Sequence, residues 1–249
     1  MARRTRTQLP GVLRHVMARG NGKMRIFLDD EDYRRFVFLL GDVLEEFQIE
    51  CWNYCVMPNH YHATIRPRDS NMSDAMRKLN SQYAQWWNRR HERVGHTFQG
   101  RFKDQIVQED SYALTLARYV VRNPVRAGLV QNPEDWVWSS YRATIGLEPA
   151  PSFLSASSFL RLFDDGEEDA MRKRFIEFAA GDLEDVQASD RIRSAERVLG
   201  TAAFKRDVLR RADSERHRTE DPPRSSNGRP STISSDEGEA GSDPGLTPV

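Results

Sequence analysis

The sequence predicts an α+β fold of the split βαβ type, followed by a helical region and a disordered tail. Three observations carry this expectation. Apolar residues alternate with period two over Gly11 to Arg19, Ile49 to Met57 and His60 to Arg66. They recur at helical spacing over Asp30 to Gln48 and Ser73 to Arg90. Residues 213–249 hold only Ile233, Leu246 and Val249 as large apolar side chains, amid Ser, Gly, Pro and acidic groups.

The elements follow in order. Gly11 to Arg19 reads as the first strand. In the first helix, Phe36, Leu39, Leu40, Val43, Leu44 and Phe47 fall three or four apart and so share a face. Ile49 to Met57 is a second strand, with Trp52, Tyr54 and Val56 expected on one side. Pro58-Asn59 supplies a turn, and His60 to Arg66 its antiparallel partner. Ser73 to Arg90 is an amphipathic helix with Met76, Leu79, Tyr83, Trp86 and Trp87 on its apolar side. Thr97 to Gln108 is mostly extended. A bounded helix follows, with Asp110 a good N-cap, Pro124 disfavouring helical geometry at the residue before it, and Gly128 closing the next turn. The order β-α-β-β-α-β and then α is the ferredoxin-like arrangement.

Beyond Tyr141 the pattern turns helical, over Ala170 to Ala179 and over Ser194 to Arg211, the latter punctuated by Gly200. The expected organisation is a core domain over residues 1–150, a helical accessory region over 151–212 and a tail over 213–249 too poor in apolar surface to offset its ordering entropy.

Charge separates the halves. The 37 basic and 37 acidic residues balance overall. Residues 1–150 nevertheless carry 22 Lys and Arg against 17 Asp and Glu, leaving 15 against 20 for the remainder. A basic front half joined to an acidic rear half suits a protein whose first part meets phosphates. Cys51 and Cys55, four apart in one strand, would lie about 13 Å apart, beyond the roughly 7 Å that a disulfide spans. With no apolar run long enough to cross a bilayer, and none behind the Arg3-Arg4-Thr5-Arg6 start, a soluble, cytoplasmic chain is expected.

Two motifs carry chemistry. In Met57-Pro58-Asn59-His60-Tyr61-His62, strand alternation projects His60 and His62 from one face and turns Tyr61 to the other. Two neutral imidazoles are good ligands for a divalent ion. In Arg118-Tyr119-Val120-Val121-Arg122-Asn123-Pro124, Tyr119 and Asn123 lie one turn apart on one helix face, where a phenol nucleophile and an amide oxygen ligand could meet the histidines. The structural readings stand beside these: Tyr119 as a core aromatic, Asn123 as a helix terminator, the histidines as a chance pair. Tyr83, Tyr112 and Tyr61 compete as nucleophiles, but none of them has an amide one turn later.

Taken with Gly95-His96-Thr97-Phe98-Gln99-Gly100-Arg101-Phe102-Lys103 and Arg118 to Val130, these motifs resemble the REP-associated tyrosine transposases, single-tyrosine HUH nucleases related to small bacterial insertion-sequence transposases. The resemblance spans about residues 8–145. It implies a ferredoxin-like nuclease core in which His60, His62 and Asn123 bind Mg²⁺ or Mn²⁺ and Tyr119 attacks a phosphate of single-stranded DNA. It further implies nicking and rejoining near palindromic hairpins through a 5′-phosphotyrosine. An aromatic residue stands between the histidines where the family has an aliphatic one.

DNA contacts are expected from Arg101 and Lys103, from Phe98 stacking on unpaired bases, and from Arg122 and Arg126. Phe98 and Phe102, at period two, are equally readable as core. The protein is expected as a monomer or homodimer. A non-catalytic nucleic-acid-binding module, a domesticated repressor of its own element, and a zinc hydrolase using water remain as alternatives.

Overall fold

A computed structural model of the chain describes residues 9–109, 111–163, 166–181, 192 and 196–220. At its centre is a five-stranded sheet in the order β2-β3-β1-β4-β5, where β1 is Arg14–Arg19, β2 Ile49–Met57, β3 His60–Pro67, β4 Lys103–Val107 and β5 Val198–Leu199. The first four strands are the ferredoxin-like set. β1 pairs antiparallel with both β3 and β4, and β2 pairs antiparallel with β3 at the sheet's edge.

One sheet face is covered by α1 (Asp30–Glu46) and α2 (Met72–Arg90). Phe36, Leu40 and Leu44 from the first helix and Met76, Leu79 and Tyr83 from the second pack on Val16, Val56, Tyr61 and Ile65. Each such side chain contributes roughly 1.5–3 kcal/mol by leaving water. The start of α1 is fixed by the Asp29 carboxylate, which accepts from the backbone N–H groups of Glu31 and Asp32. Arg90, at the end of α2, ion-pairs with Asp29 and with the fully buried Asp32, tying the two helices together.

The opposite face is covered by α3 (Ser111–Val121), whose Leu116, Ala117 and Val120 pack with Trp52, Cys55 and Met57. Here the structure corrects one expectation. The β2–β3 register shifts between Cys51 and Asn53, so Trp52 enters the second core beside Phe159 while Tyr54 and Val56 enter the first. A period of two does not survive an inserted residue. The same bulge sends Cys51 and Cys55 to opposite faces, and both are free thiols.

The tyrosine helix stops at Val121, but Asn123, the residue before Pro124, is helical against the steric rule. Arg122, with φ −89° and ψ 1°, interrupts the α geometry for one residue, and α4 (Asn123–Arg126) resumes with Pro124 in its first turn, where the missing N–H is not needed. Gly128 closes this unit at φ 66°, as expected. Asp110 lies outside the described residues.

The region after Tyr141 joins the second core. Tyr141 from α5 (Tyr141–Thr144), Phe159 from α6 (Ala156–Leu160) and Phe175 from α7 (Glu168–Ala180) pack with Trp52 and Tyr119. Of the helical segment expected over Ser194 to Arg211 and punctuated by Gly200, only the part after Gly200 is helical among the described residues; Ser194 and Ala195 lie outside them. Val198–Leu199 pairs parallel to β4 as β5, and the last helix, α8 (Ala202–Glu220), begins only after Gly200. A Cβ at Gly200 would stand 2.5 Å from Phe204 Cδ1, so this bend needs glycine. The helix runs to residue 220, past the expected boundary at 212; residues 221–249 lie outside the described residues. No described helix is long and apolar enough to cross a membrane.

Candidate metal and nucleophile site

Register builds the site. His60 stands opposite Arg19 and Met57, and His62 opposite Met17 and Cys55. His15, two residues before Met17, stands opposite Gln105, and Met17 opposite Lys103. Directly paired residues share a sheet face, so His15, Arg19, His60, His62, Lys103 and Gln105 all project toward the α3 side. Tyr61 points the other way, buried against α2 with its hydroxyl donating to Asn80 Oδ1 at 3.0 Å. The alternation expected from the sequence therefore holds across the motif.

Helix α3 lays Tyr119 over this face. Its ring meets His62 edge-on at 5.8 Å between centroids, and the His60 and His62 rings are 4.9 Å apart. The Arg126 guanidinium sits 4.8 Å from the centre of the Tyr119 ring. Asn123 opens α4, and its Nδ2 donates to the Tyr119 carbonyl at 3.2 Å, which leaves Oδ1 as the other end of the amide. Tyr83, one of the competing tyrosines, lies on the other side of the sheet, fully buried in the first core with its hydroxyl donating to the Ile26 carbonyl.

Two residues missed by sequence reasoning complete the polar chain. His62 Nδ1 is 2.8 Å from His15 Nε2, and His15 Nδ1 is 3.0 Å from Gln105 Oε1. Gln105 Nε2 in turn donates to the Glu196 carbonyl at 2.8 Å. The signal available beforehand was only the alternation of β1, which puts His15, Met17 and Arg19 on one side. It cannot say which strand lies alongside.

All three imidazoles are held neutral. Burial pushes His15 down to about 4 and His60 down to about 4, with Arg19 adding to the second effect. His62 lies well below its usual range, first through burial and then through the neighbouring His60, His15, Arg19 and Arg126. Neutral imidazoles are what a metal requires. The donor set passes this test on its atoms: both Nδ1 atoms are engaged, while neither His60 Nε2 nor His62 Nε2 makes a hydrogen bond among the described residues. Among the described residues no group of three or more His, Cys, Asp and Glu side chains is arranged to hold a metal ion by itself. A cavity of about 640 Å³ opens elsewhere, lined by Gly146, Ser155 and Arg172 among others and by none of His15, His60, His62, Tyr119 and Asn123.

The residues expected to touch DNA divide. Arg101, Lys103 and Arg126 are exposed. Phe98 is not available for stacking on a base: it is 8% exposed and packs against Tyr61 and Tyr83, because the bridge between Gly20 and Phe98 folds the segment onto the first core. Phe102 is likewise core. Arg122 is committed to structure, its Nη1 donating to the carbonyls of Ala179, Ala180 and Gly181 at the end of α7. Arg19, which sequence reasoning passed over, is an exposed cation beside His60.

Comparison with known proteins places the core. Residues 11–123 match the family model described as "Transposase IS200 like". A protein of Haemophilus influenzae named as a REP-associated tyrosine transposase is 24% identical over 132 residues, covering 49% of this chain and 75% of the relative. A solved structure of a REP-associated tyrosine transposase bound to a REP hairpin superposes with TM-score 0.51 at 19% identity, covering 60% of this chain and 89% of that one. At that identity the likeness is one of fold.

Proposed function

We propose that this chain, whose residues 11–123 match the IS200-like transposase model, is a REP-associated tyrosine transposase that nicks and rejoins single-stranded DNA beside a palindromic hairpin. The observation that supports the reading is the edge-on contact of the Tyr119 ring with the His62 ring, 5.8 Å between centroids.

In the proposed reaction the Tyr119 oxygen attacks a backbone phosphorus and the P–O3′ bond breaks. The products are a 5′-phosphotyrosine and a free 3′-hydroxyl, the phenol proton being lost and the leaving oxygen gaining one. The phosphoester is retained in the adduct, so a 3′-hydroxyl from another strand reverses the step and frees Tyr119. Mg²⁺ or Mn²⁺ held by His60, His62 and Asn123 would polarise the scissile phosphate and offset charge on its non-bridging oxygens. Arg126 and Arg19 stand at the site as exposed cations for flanking phosphates, with Lys103 further along the same face. Family and ion availability favour Mg²⁺, although two imidazoles suit manganese better.

The test is incubation with single-stranded DNA carrying the element's own flanking palindrome plus Mn²⁺, then a denaturing gel. A covalent protein–DNA band that Tyr119→Phe abolishes supports the reading. DNA binding without any adduct would favour a repressor. Cleavage without an adduct would favour a water-using hydrolase.

A further inference from the structure

The polar contacts behind the site form a pattern that its ligands alone do not require. Each begins on a backbone carbonyl, which can only accept a hydrogen bond. Gln105 meets the Glu196 carbonyl at 2.8 Å, Asn59 meets the Lys23 carbonyl at 3.0 Å, and Asn123 meets the Tyr119 carbonyl at 3.2 Å. Only the NH₂ end of an amide can make these contacts, so each amide oxygen must face the other way.

From the Asn59 oxygen the next contact is His60 Nδ1 at 2.6 Å. From the Gln105 oxygen it is His15 Nδ1 at 3.0 Å. An amide oxygen accepts only, so both imidazoles carry their proton on Nδ1. Neutral His15 then has a lone pair on Nε2, which accepts from His62 Nδ1 at 2.8 Å. His62 is thereby protonated on Nδ1 as well.

We propose that these backbone carbonyls key the tautomers of the site, so that His60 and His62 both present a bare Nε2 and Asn123 presents Oδ1 before any ion arrives. Asn59, His15 and Gln105 are positioning residues in this scheme. Its longest arm reaches outside the conventional four-stranded core: Glu196 precedes β5, and the Ile106 N–H also binds the Arg197 carbonyl. The accessory segment therefore sets the proton position on a ligand histidine through the Glu196–Gln105–His15–His62 line. The consequence for metal affinity rests on the metal-dependent reading above; the tautomers do not.

The experiment separates the two. Long-range ¹H–¹⁵N correlation spectra of the full-length, metal-free protein near pH 7 distinguish protonated from bare ring nitrogens, with assignments from single His→Gln variants. His15, His60 and His62 are each expected as the Nδ1–H form. Gln105→Leu, which removes the acceptor, should let His15 and His62 drift to a tautomer mixture while His60 stays put. Gln105→Glu in its protonated form should keep the wild-type pattern, its O–H donating to the Glu196 carbonyl while its other oxygen accepts from His15. Asn59→Ala should loosen His60 alone. Mn²⁺ affinity should fall about 10- to 100-fold in Gln105→Leu and Asn59→Ala, the usual consequence of removing a ligand's hydrogen-bond partner. His62 found in the Nε2–H form in the wild-type protein, or unchanged tautomers in Gln105→Leu, would overturn the proposal. The expected tautomers in a protein that binds no Mn²⁺ would uphold the keying and refute the metal reading instead.

Discussion

Replacing Tyr119 by phenylalanine separates chemistry from packing with a single oxygen. The Tyr119 ring is 5% exposed and held between the edge of His62, at 5.8 Å, and the Arg126 guanidinium, at 4.8 Å. Phenylalanine keeps both contacts and the burial of the ring. The hydroxyl makes no hydrogen bond among the described residues, so none of the roughly 0.5–1.5 kcal/mol that such a bond contributes is lost. The expected cost in stability is therefore under about 1 kcal/mol, or a melting shift within about 4 °C for a chain of this size. Binding of a single-stranded hairpin should stay within a few-fold of wild type. Covalent capture should vanish, because the substitution removes the proposed nucleophilic oxygen. The assay pairs thermal melting and hairpin titration with a denaturing gel for the adduct. A Tyr119→Phe protein that still forms adduct, while Tyr112→Phe does not, would show that the nucleophile was misassigned. A melting point lowered by 10 °C or more would show that the hydroxyl is structural.

His60→Ala or His62→Ala should abolish cleavage, and Asn123→Ala should weaken it with partial rescue by excess Mn²⁺; full cleavage in EDTA would refute metal dependence. In the metal-free protein, His15 sits at about 4 when folded against about 6.5 when unfolded, so the unfolded chain binds more protons between those values and stability falls as pH drops from 6.5 toward 4. At about 1.36 kcal/mol per unit this amounts to roughly 3 kcal/mol from His15, readable as urea midpoints at pH 7 and 4.5, and His15→Gln should make the profile shallower by that share while His60 and His62 keep theirs. Arg126→Gln should lower single-strand affinity and reduce the slope of log affinity against log salt by about 0.7, the value for one phosphate contact; an unchanged slope would remove Arg126 from the DNA surface. Arg122→Ala should leave that slope alone and instead cost about 1–3 kcal/mol in urea unfolding, since three carbonyls at the end of α7 lose their donor.

The local periodicities were enough to order the strands and helices of the core, and they placed His60 and His62 on one side with Tyr61 on the other, because a strand's alternation is a property of neighbouring residues. They also set Tyr119 and Asn123 one turn apart, a spacing that survives the break at Arg122 as the Asn123 Nδ2 contact with the Tyr119 carbonyl. What they could not reach depends on groups far apart in the chain. The bulge at Trp52 is set by pairing with β3, so the expected common face of Trp52, Tyr54 and Val56 failed. Phe98 at period two looks alike whether it faces bases or Tyr83, and only the closing of the segment onto the first core decides it. Arg122 reads as a free cation until α7 delivers three carbonyls to it. Val198 and Leu199 sit inside a helical pattern, yet the open edge of β4 takes them as a strand, since backbone groups of a sheet edge gain more from a partner than two residues gain from helix propensity. The same docking brings the Glu196 carbonyl to Gln105, and with it the hydrogen-bonded line through His15 to His62, a chain of contacts between residues 47 to 91 positions apart that no local pattern encodes.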